Sequence, residues 1–153
     1  MARNKAVIGW REWVGLPDFD IAVKAKIDTG ARTSSLHARR VEAFERDGIA
    51  LVRFWVYPKQ RTARGKVPVE APLIGYRRIR NPGAGGRTEI RPVIVTMLEL
   101  GEHVWQAEVT LSRRDTMGFR MLLGRQAVRG KFTVDPGTSF KMGRDHPRLR
   151  EAS

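Results

Sequence analysis

Hydrophobic and polar positions alternate along most of the chain, with the two-residue period of strands that bury one face. The clearest run is Ile21-Ala22-Val23-Lys24-Ala25-Lys26-Ile27. In another, Trp105, Ala107, Val109 and Leu111 interleave with Gln106, Glu108 and Thr110. Residues 49–57 place Ala50, Val52, Phe54 and Val56 on one face, behind the hairpin signal Asp47-Gly48. This pattern predicts a hairpin of residues 5–14 and 19–27 around Gly15-Leu16-Pro17-Asp18, then an extended segment over 34–43. Residues 67–74 are extended, and Pro68 and Pro72, which lack an N–H, argue for an edge position. Residues 90–100 pair with 103–111 around Gly101-Glu102, and 119–124 form an apolar strand. One short helix fits 125–129, ended by Gly130. A last strand over 131–135 stops at Pro136-Gly137. Arg77 to Arg87, with Asn81-Pro82-Gly83-Ala84-Gly85-Gly86, reads as a flexible loop or hairpin tip. No internal repeat or heptad pattern interrupts this picture. It describes an all-β domain, barrel-like or sandwich-like, over residues 1–139, with a polar, basic and flexible tail over 140–153.

Composition narrows the chemistry. At 153 residues and 41% hydrophobic content, the chain suits one domain around one core. It has no cysteine, which rules out a disulfide framework, a thiol nucleophile and a thiolate metal site. Its histidines are His37, His103 and His146, without the His-Glu-x-x-His spacing of a zinc hydrolase. No glycine-rich loop ends in the Lys-Ser/Thr that grips ATP phosphates. No cofactor or metal is therefore expected. No apolar run approaches the roughly 20 residues of a membrane span, and none after Met1 suits a signal peptide, so a cytoplasmic protein is expected. The net charge is +13 and is carried mostly by arginine, which pairs bidentately with carboxylate and phosphate. Polyanions or acidic peptides are the natural ligands of such a surface.

The candidate catalyst is Asp28, in Asp28-Thr29-Gly30-Ala31 at the end of the clearest strand. Gly30 allows a tight turn and a close approach of a partner chain. Thr29 offers a short hydroxyl for a backbone bond across a two-fold axis. Two such carboxylates within a few ångströms cannot both ionise. The ionised one can draw a proton from water while the protonated one donates to a scissile carbonyl. The chain carries one Asp-Thr-Gly, so a dyad requires a second copy. Asp-Thr-Gly is also ordinary turn vocabulary. Its position after an apolar strand, with Met121-Leu122-Leu123-Gly124-Arg125 late in the chain, sets it apart.

An Asp-Thr-Gly ending a strand, joined by two apolar residues and a glycine downstream, resembles the retropepsin-like aspartic proteases, in their single-domain, homodimeric branch. Within it, Lys24 to Ala38, Arg91-Pro92-Val93-Ile94 and Met121 to Arg125 are most similar to one bacterial and archaeal family. The extension Ala31-Arg32-Thr33-Ser34-Ser35-Leu36-His37 is its more specific part. That family carries the label ATP-dependent zinc protease, and its members are often associated with ATP-grasp ligases that add glutamates to a ribosomal protein. The resemblance covers residues 6 to 139. It implies a closed β-barrel with one short C-terminal helix, and a homodimeric endopeptidase whose paired Asp28 side chains activate water. Leu123 and Gly124 would pack beside the Asp28 loop, with Thr29, Gly30, Ala31 and Arg125 supporting the dyad. In viral members the matching arginine pairs with an Asp just after Asp-Thr-Gly-Ala; here that position is Arg32. Ala31 gives the dyad no hydroxyl, which predicts a mildly acidic activity optimum. Residues 77–87, with Gly83, Gly85 and Gly86, would sit where a flap closes over substrate. Arg32, Arg78, Arg80 and Arg87 would then receive an acidic or glutamate-tailed substrate, with Arg39 and Arg40 also near Asp28 in sequence. His37 could reach the site, but the favoured expectation is that it faces solvent.

Two other readings remain open on sequence. Net charge with Trp10, Trp13, Trp55 and Trp105 would suit a nucleic-acid-binding β-barrel, although Trp105 falls on a core-facing pattern. A catalytically inactive dimer that holds acidic tails would use the same basic cleft.

Overall fold

The computed structural model describes residues 5–60, 62–81, 85–113, 118–144, 146 and 148. Its strands are β1 (Ala6–Ile8), β2 (Arg11–Leu16), β3 (Ile21–Asp28), β4 (Ser34–Arg46), β5 (Ile49–Val56), β6 (Val67–Asn81), β7 (Arg87–Leu100), β8 (His103–Ser112), β9 (Met121–Gly124) and β10 (Phe132–Val134), with one short helix, α1 (Arg125–Val128), between the last two. The all-β class and the single C-terminal helix match expectation. Eight strands form a sheet in the order β2-β3-β9-β4-β5-β6-β7-β8, and further pairings of β2 with β7 and β4 with β8 bend it into a ring. Inward-facing residues fill that ring: Val23 and Ala25 of β3, Leu36 of β4, Phe54 and Val56 of β5, Leu98 of β7, and Met121 and Leu123 of β9 are all buried.

Several elements differ from the periodicity. Residues 5–14 do not form one strand. A side chain at Gly9 would run into the Thr138 carbonyl, and Trp10 N–H donates to that same oxygen at 2.9 Å. The chain therefore breaks there, and β1 pairs in parallel with β10 while β2 makes the expected hairpin with β3. The segment 67–74 extends to Asn81 because β6 changes partner. It pairs with β5 over Val67–Pro72 and with β7 from Leu73 onward, across an irregularity at Leu73/Gly75 where Gly75 has φ 150°. Pro68 and Pro72 lie in the half paired with β5, and no β7 pairing is recorded there, which fits residues without an N–H. The Asp47-Gly48 turn has positive φ at both residues, 53° and 78°, the geometry of a two-residue hairpin.

The basic segment after Gly137 is anchored over its described residues, where composition alone predicts fraying. Glu12, fully buried, accepts backbone N–H bonds from Gly9 at 2.7 Å, Lys141 at 2.8 Å and Met142 at 3.0 Å. His146 contacts Glu99 at 3.1 Å, and Arg148 reaches Asp20 at 3.1 Å. Burial holds the His146 imidazole below its ordinary pKa, against the pull of Glu99. Glu12→Ala would leave three backbone donors without their acceptor, each costing about 1–3 kcal/mol where burial excludes water. The expected loss is roughly 3 kcal/mol or more in a denaturant titration; an unchanged midpoint would show that the carboxylate is no clamp.

Candidate active site

Asp28 is the last residue of β3, where the apolar alternation of that strand meets the turn Thr29-Gly30. Its Oδ1 accepts the Gly30 N–H at 3.0 Å, and Ala31 N–H donates to the Asp28 carbonyl at 3.2 Å, so the turn folds back on the carboxylate. β9 runs parallel beside β3 and places Leu123 next to Ile27 and Gly124 next to Asp28. Leu123 is fully buried. The turn after Asp28 is held by the start of α1: Arg125 N–H donates to the Ala31 carbonyl at 2.7 Å and Gln126 N–H to the Arg32 carbonyl at 3.1 Å.

Arg125, whose expected acidic partner is replaced by Arg32 in this sequence, finds a backbone partner. Its guanidinium donates to the Thr29 carbonyl at 3.0 Å, within the Asp28 loop. Sequence reasoning did not single out Ser34, whose buried hydroxyl accepts the Gly124 N–H at 3.0 Å and ties β4 to β9 directly behind the turn. Only the tertiary pairing of β4 with β9 reveals that contact.

A groove of about 760 Å³ opens beside Asp28. Gly30, Ala31, Arg32 and Leu122 line it from the turn and β9, and Arg77, Arg78, Arg80 and Arg91 from the β6–β7 hairpin. Arg32, Arg78 and Arg80 thus line one groove with Asp28. Arg77 and Arg91 join them, each also bonded to an acid: Arg77 to Glu108 at 2.8 Å and Arg91 to Glu89 at 3.0 Å. Arg87 is exposed in β7 and does not line the groove. Gly85 and Gly86, with φ of 73° and 77°, lie at the hairpin tip, while Gly83 falls outside the described residues. Arg39 and Arg40 do not reach this groove; they line another one farther along β4.

His37 is buried, not solvent-facing, with its ring 5.3 Å from that of Tyr57. Among the described residues no group of three or more His, Asp or Glu is placed to hold a metal ion. The tryptophans are engaged within the fold: Trp10 with Phe119, Trp13 with Phe140, Trp105 with Phe132, and Trp55 under Lys66. Among the described residues, no helix is long and apolar enough to cross a membrane.

Comparison with known proteins agrees with this geometry. A crystal structure of protein Lpg0085 from Legionella pneumophila, described as of unknown function, superposes with a TM-score of 0.76 at 31% identity, over 91% of this chain and 99% of that one. Proteins named probable alpha-L-glutamate ligase are also similar, at 42% identity over 95% of the chain in Shewanella halifaxensis and 44% over 91% in Desulfotalea psychrophila. The chain spans about a third of those relatives' length, 32% and 30% respectively, so their name describes much longer proteins. A family model described as RimB-like, retropepsin-like aspartic endopeptidase RimB, matches residues 7–145. With nearly the whole chain matched and the Asp28 turn braced between β9 and α1, the chain belongs to the RimB-like family of retropepsin-like aspartic endopeptidases.

Proposed function

We propose that the chain is a homodimeric aspartic endopeptidase that cleaves acidic protein substrates, glutamate-tailed ones in particular. One observation carries this reading: the turn-braced carboxylate of Asp28 faces a groove whose wall holds Arg32, Arg77, Arg78, Arg80 and Arg91. In the dimer, two Asp28 side chains share one proton, because two like charges at close range resist ionisation together. The ionised carboxylate takes a proton from a water molecule as its oxygen adds to the scissile carbonyl. The protonated carboxyl donates to the carbonyl oxygen. The tetrahedral intermediate then collapses, the C–N bond breaks, and the departing amine receives a proton. Thr29 and Gly30, both exposed beside Asp28, suit the close approach of a second copy. The β6–β7 hairpin, with its glycine tip, suits a flap that excludes water over the bound peptide.

The arginine wall supports an acidic substrate, since guanidinium pairs bidentately with carboxylate. The longer relatives named for glutamate ligation support a setting in which glutamates are added and this activity trims them. A nucleic-acid-binding barrel draws less support, because each half-buried tryptophan that would stack on bases already packs against a ring or a cation of the chain itself.

The test is cleavage of matched acidic and neutral peptides, with and without a metal chelator, over a range of enzyme concentrations. Chelator-resistant cleavage that favours the acidic peptide and rises faster than linearly with enzyme supports the proposal. Equal cleavage of both peptides contradicts the substrate class. Removing Arg78 and Arg80 together, by Arg78→Ala/Arg80→Ala, is expected to raise KM for the acidic peptide about tenfold or more, at about 1 kcal/mol per exposed ion pair lost. The neutral peptide should change little; an equal rise for both would assign these arginines a structural role instead.

A further inference from the structure

β4 leads from the Asp28 groove to a second basic groove. Ser35 lines the first, beside Leu122. Three residues on, Ala38 begins a stretch of β4 that walls a separate groove of about 630 Å³, together with Tyr57, Lys66, Ser112 and Arg113. The two grooves share no lining residue. At about 3.3 Å per residue, they are roughly 10 Å apart along the strand.

The backbone is shaped at this place. The β4–β5 register shifts between Arg39 and Glu42, and Arg40 there has φ 55°. A left-handed arginine is uncommon, because its Cβ crowds the following carbonyl. Such conformations persist where the surrounding structure imposes them and often mark functional sites. Bulges also re-aim side chains beside binding sites. Here Arg40 and Lys66, both exposed, line the groove beside Arg39 and Arg113, which have partners of their own; no carboxylate is among its described lining residues, and Arg40 also borders the neighbouring groove that holds Glu42 and Glu70.

The ligand class follows from what the groove offers. Tyr57 is buried, with its ring set against His37, and gives no open face for a base. Trp55 lies under the Lys66 ammonium, 5.0 Å from its ring centre. Without a stacking platform, arginine-rich recognition favours carboxylates that accept paired N–H bonds.

We propose that the groove at the β4 bulge is a second binding site for an acidic peptide, taking carboxylates of the same extended chain that occupies the Asp28 groove. The peptide's identity as substrate rests on the peptidase reading above; its capture at the bulge does not. Only a chain long enough to cover the gap, about three further extended residues, engages both grooves. Long acidic tails are thereby held in preference to short ones.

The test measures binding, so it is independent of catalysis. Labelled oligo-α-glutamate peptides of about three and about fifteen residues, only the longer able to occupy both grooves, are titrated into Asp28→Asn protein by fluorescence anisotropy. The same titration uses Asp28→Asn protein that also carries Arg40→Glu and Lys66→Glu, both exposed positions. The long peptide should lose about tenfold in affinity at low salt and less at higher salt, while the short one is unchanged. Unchanged affinity for the long peptide, or an equal loss for both, overturns the proposal. An oligothymidylate of equal charge that displaces the long peptide at lower concentration would reassign the groove to nucleic acid. If wild-type protein cleaves neither peptide, the peptidase reading fails, and the binding difference still decides this site.

Discussion

Asp28→Asn is expected to leave the protein folded and to lower peptide cleavage by about a thousandfold or more, the scale of a lost general acid–base pair. The fold should survive because the side-chain bond that Asp28 makes within its turn, accepting the Gly30 N–H at 3.0 Å, needs only an oxygen, and asparagine supplies one. Chemistry should not survive. An amide neither takes a proton from water nor carries one to the scissile carbonyl, so a dyad of two asparagines has no acid and no base. Single-turnover cleavage beside a thermal unfolding scan separates the two effects. Native-like unfolding with cleavage reduced to background fits the account. Retention of about a tenth of wild-type activity, a loss of only ~1.4 kcal/mol in transition-state stabilisation, would place the chemistry elsewhere.

Gly124→Ala should act through the scaffold beneath that carboxylate. A β-carbon there would stand 2.5 Å from the Thr33 carbonyl oxygen, 2.6 Å from its carbon and 3.0 Å from the Ala31 carbonyl oxygen. All three are backbone atoms, so no flexible side chain can swing away. The Ala31 carbonyl is also the acceptor for Arg125 N–H, and Gly124 N–H is bound by Ser34, so the turn is fixed from both sides. Relief requires the Ala31–Thr33 turn to move away from β9, and that shifts Asp28, which leads into the turn, relative to its partner. The expected cost is about 3 kcal/mol in stability, at the upper end for overpacking, with a larger fall in kcat than in substrate affinity. Equal stability of the variant would show that the turn has room the structure does not provide.

The parts of the site that are local in sequence were legible in it. Asp28 ends an alternating strand and Gly30 makes the turn; both facts lie in one short stretch, and the structure keeps them together. Met121 to Gly124 read as an apolar strand for the same reason, with Leu123 inside the ring. What the chain hid depends on distant partners. Ser34 reads as an ordinary polar residue until β9 brings the Gly124 N–H to its hydroxyl. Glu12 sits in an alternating segment as any surface acid would, but three backbone N–H groups, two of them from the last part of the chain, draw it into the interior. His37 follows the same rule: burial against Tyr57 comes from the residue that follows β5, not from its own sequence context. Arg39 and Arg40, close to Asp28 in number, are carried off by β4 to the second groove, while Arg77 and Arg91 return to Asp28 along a hairpin. Sequence distance is a poor guide to charge placement in a sheet that closes on itself.

The central claim is that one active site takes its two carboxylates from two copies of the chain. Mixing tests it most directly. Wild-type and Asp28→Asn protein are combined in equal amounts at constant total concentration, allowed to exchange subunits, and assayed on an acidic peptide. Random pairing into two-fold dimers leaves about a quarter of the pairs with both carboxylates, so activity should fall to about a quarter of that of wild type alone. A fall to about a half would mean that each chain works by itself, and the shared dyad would be contradicted.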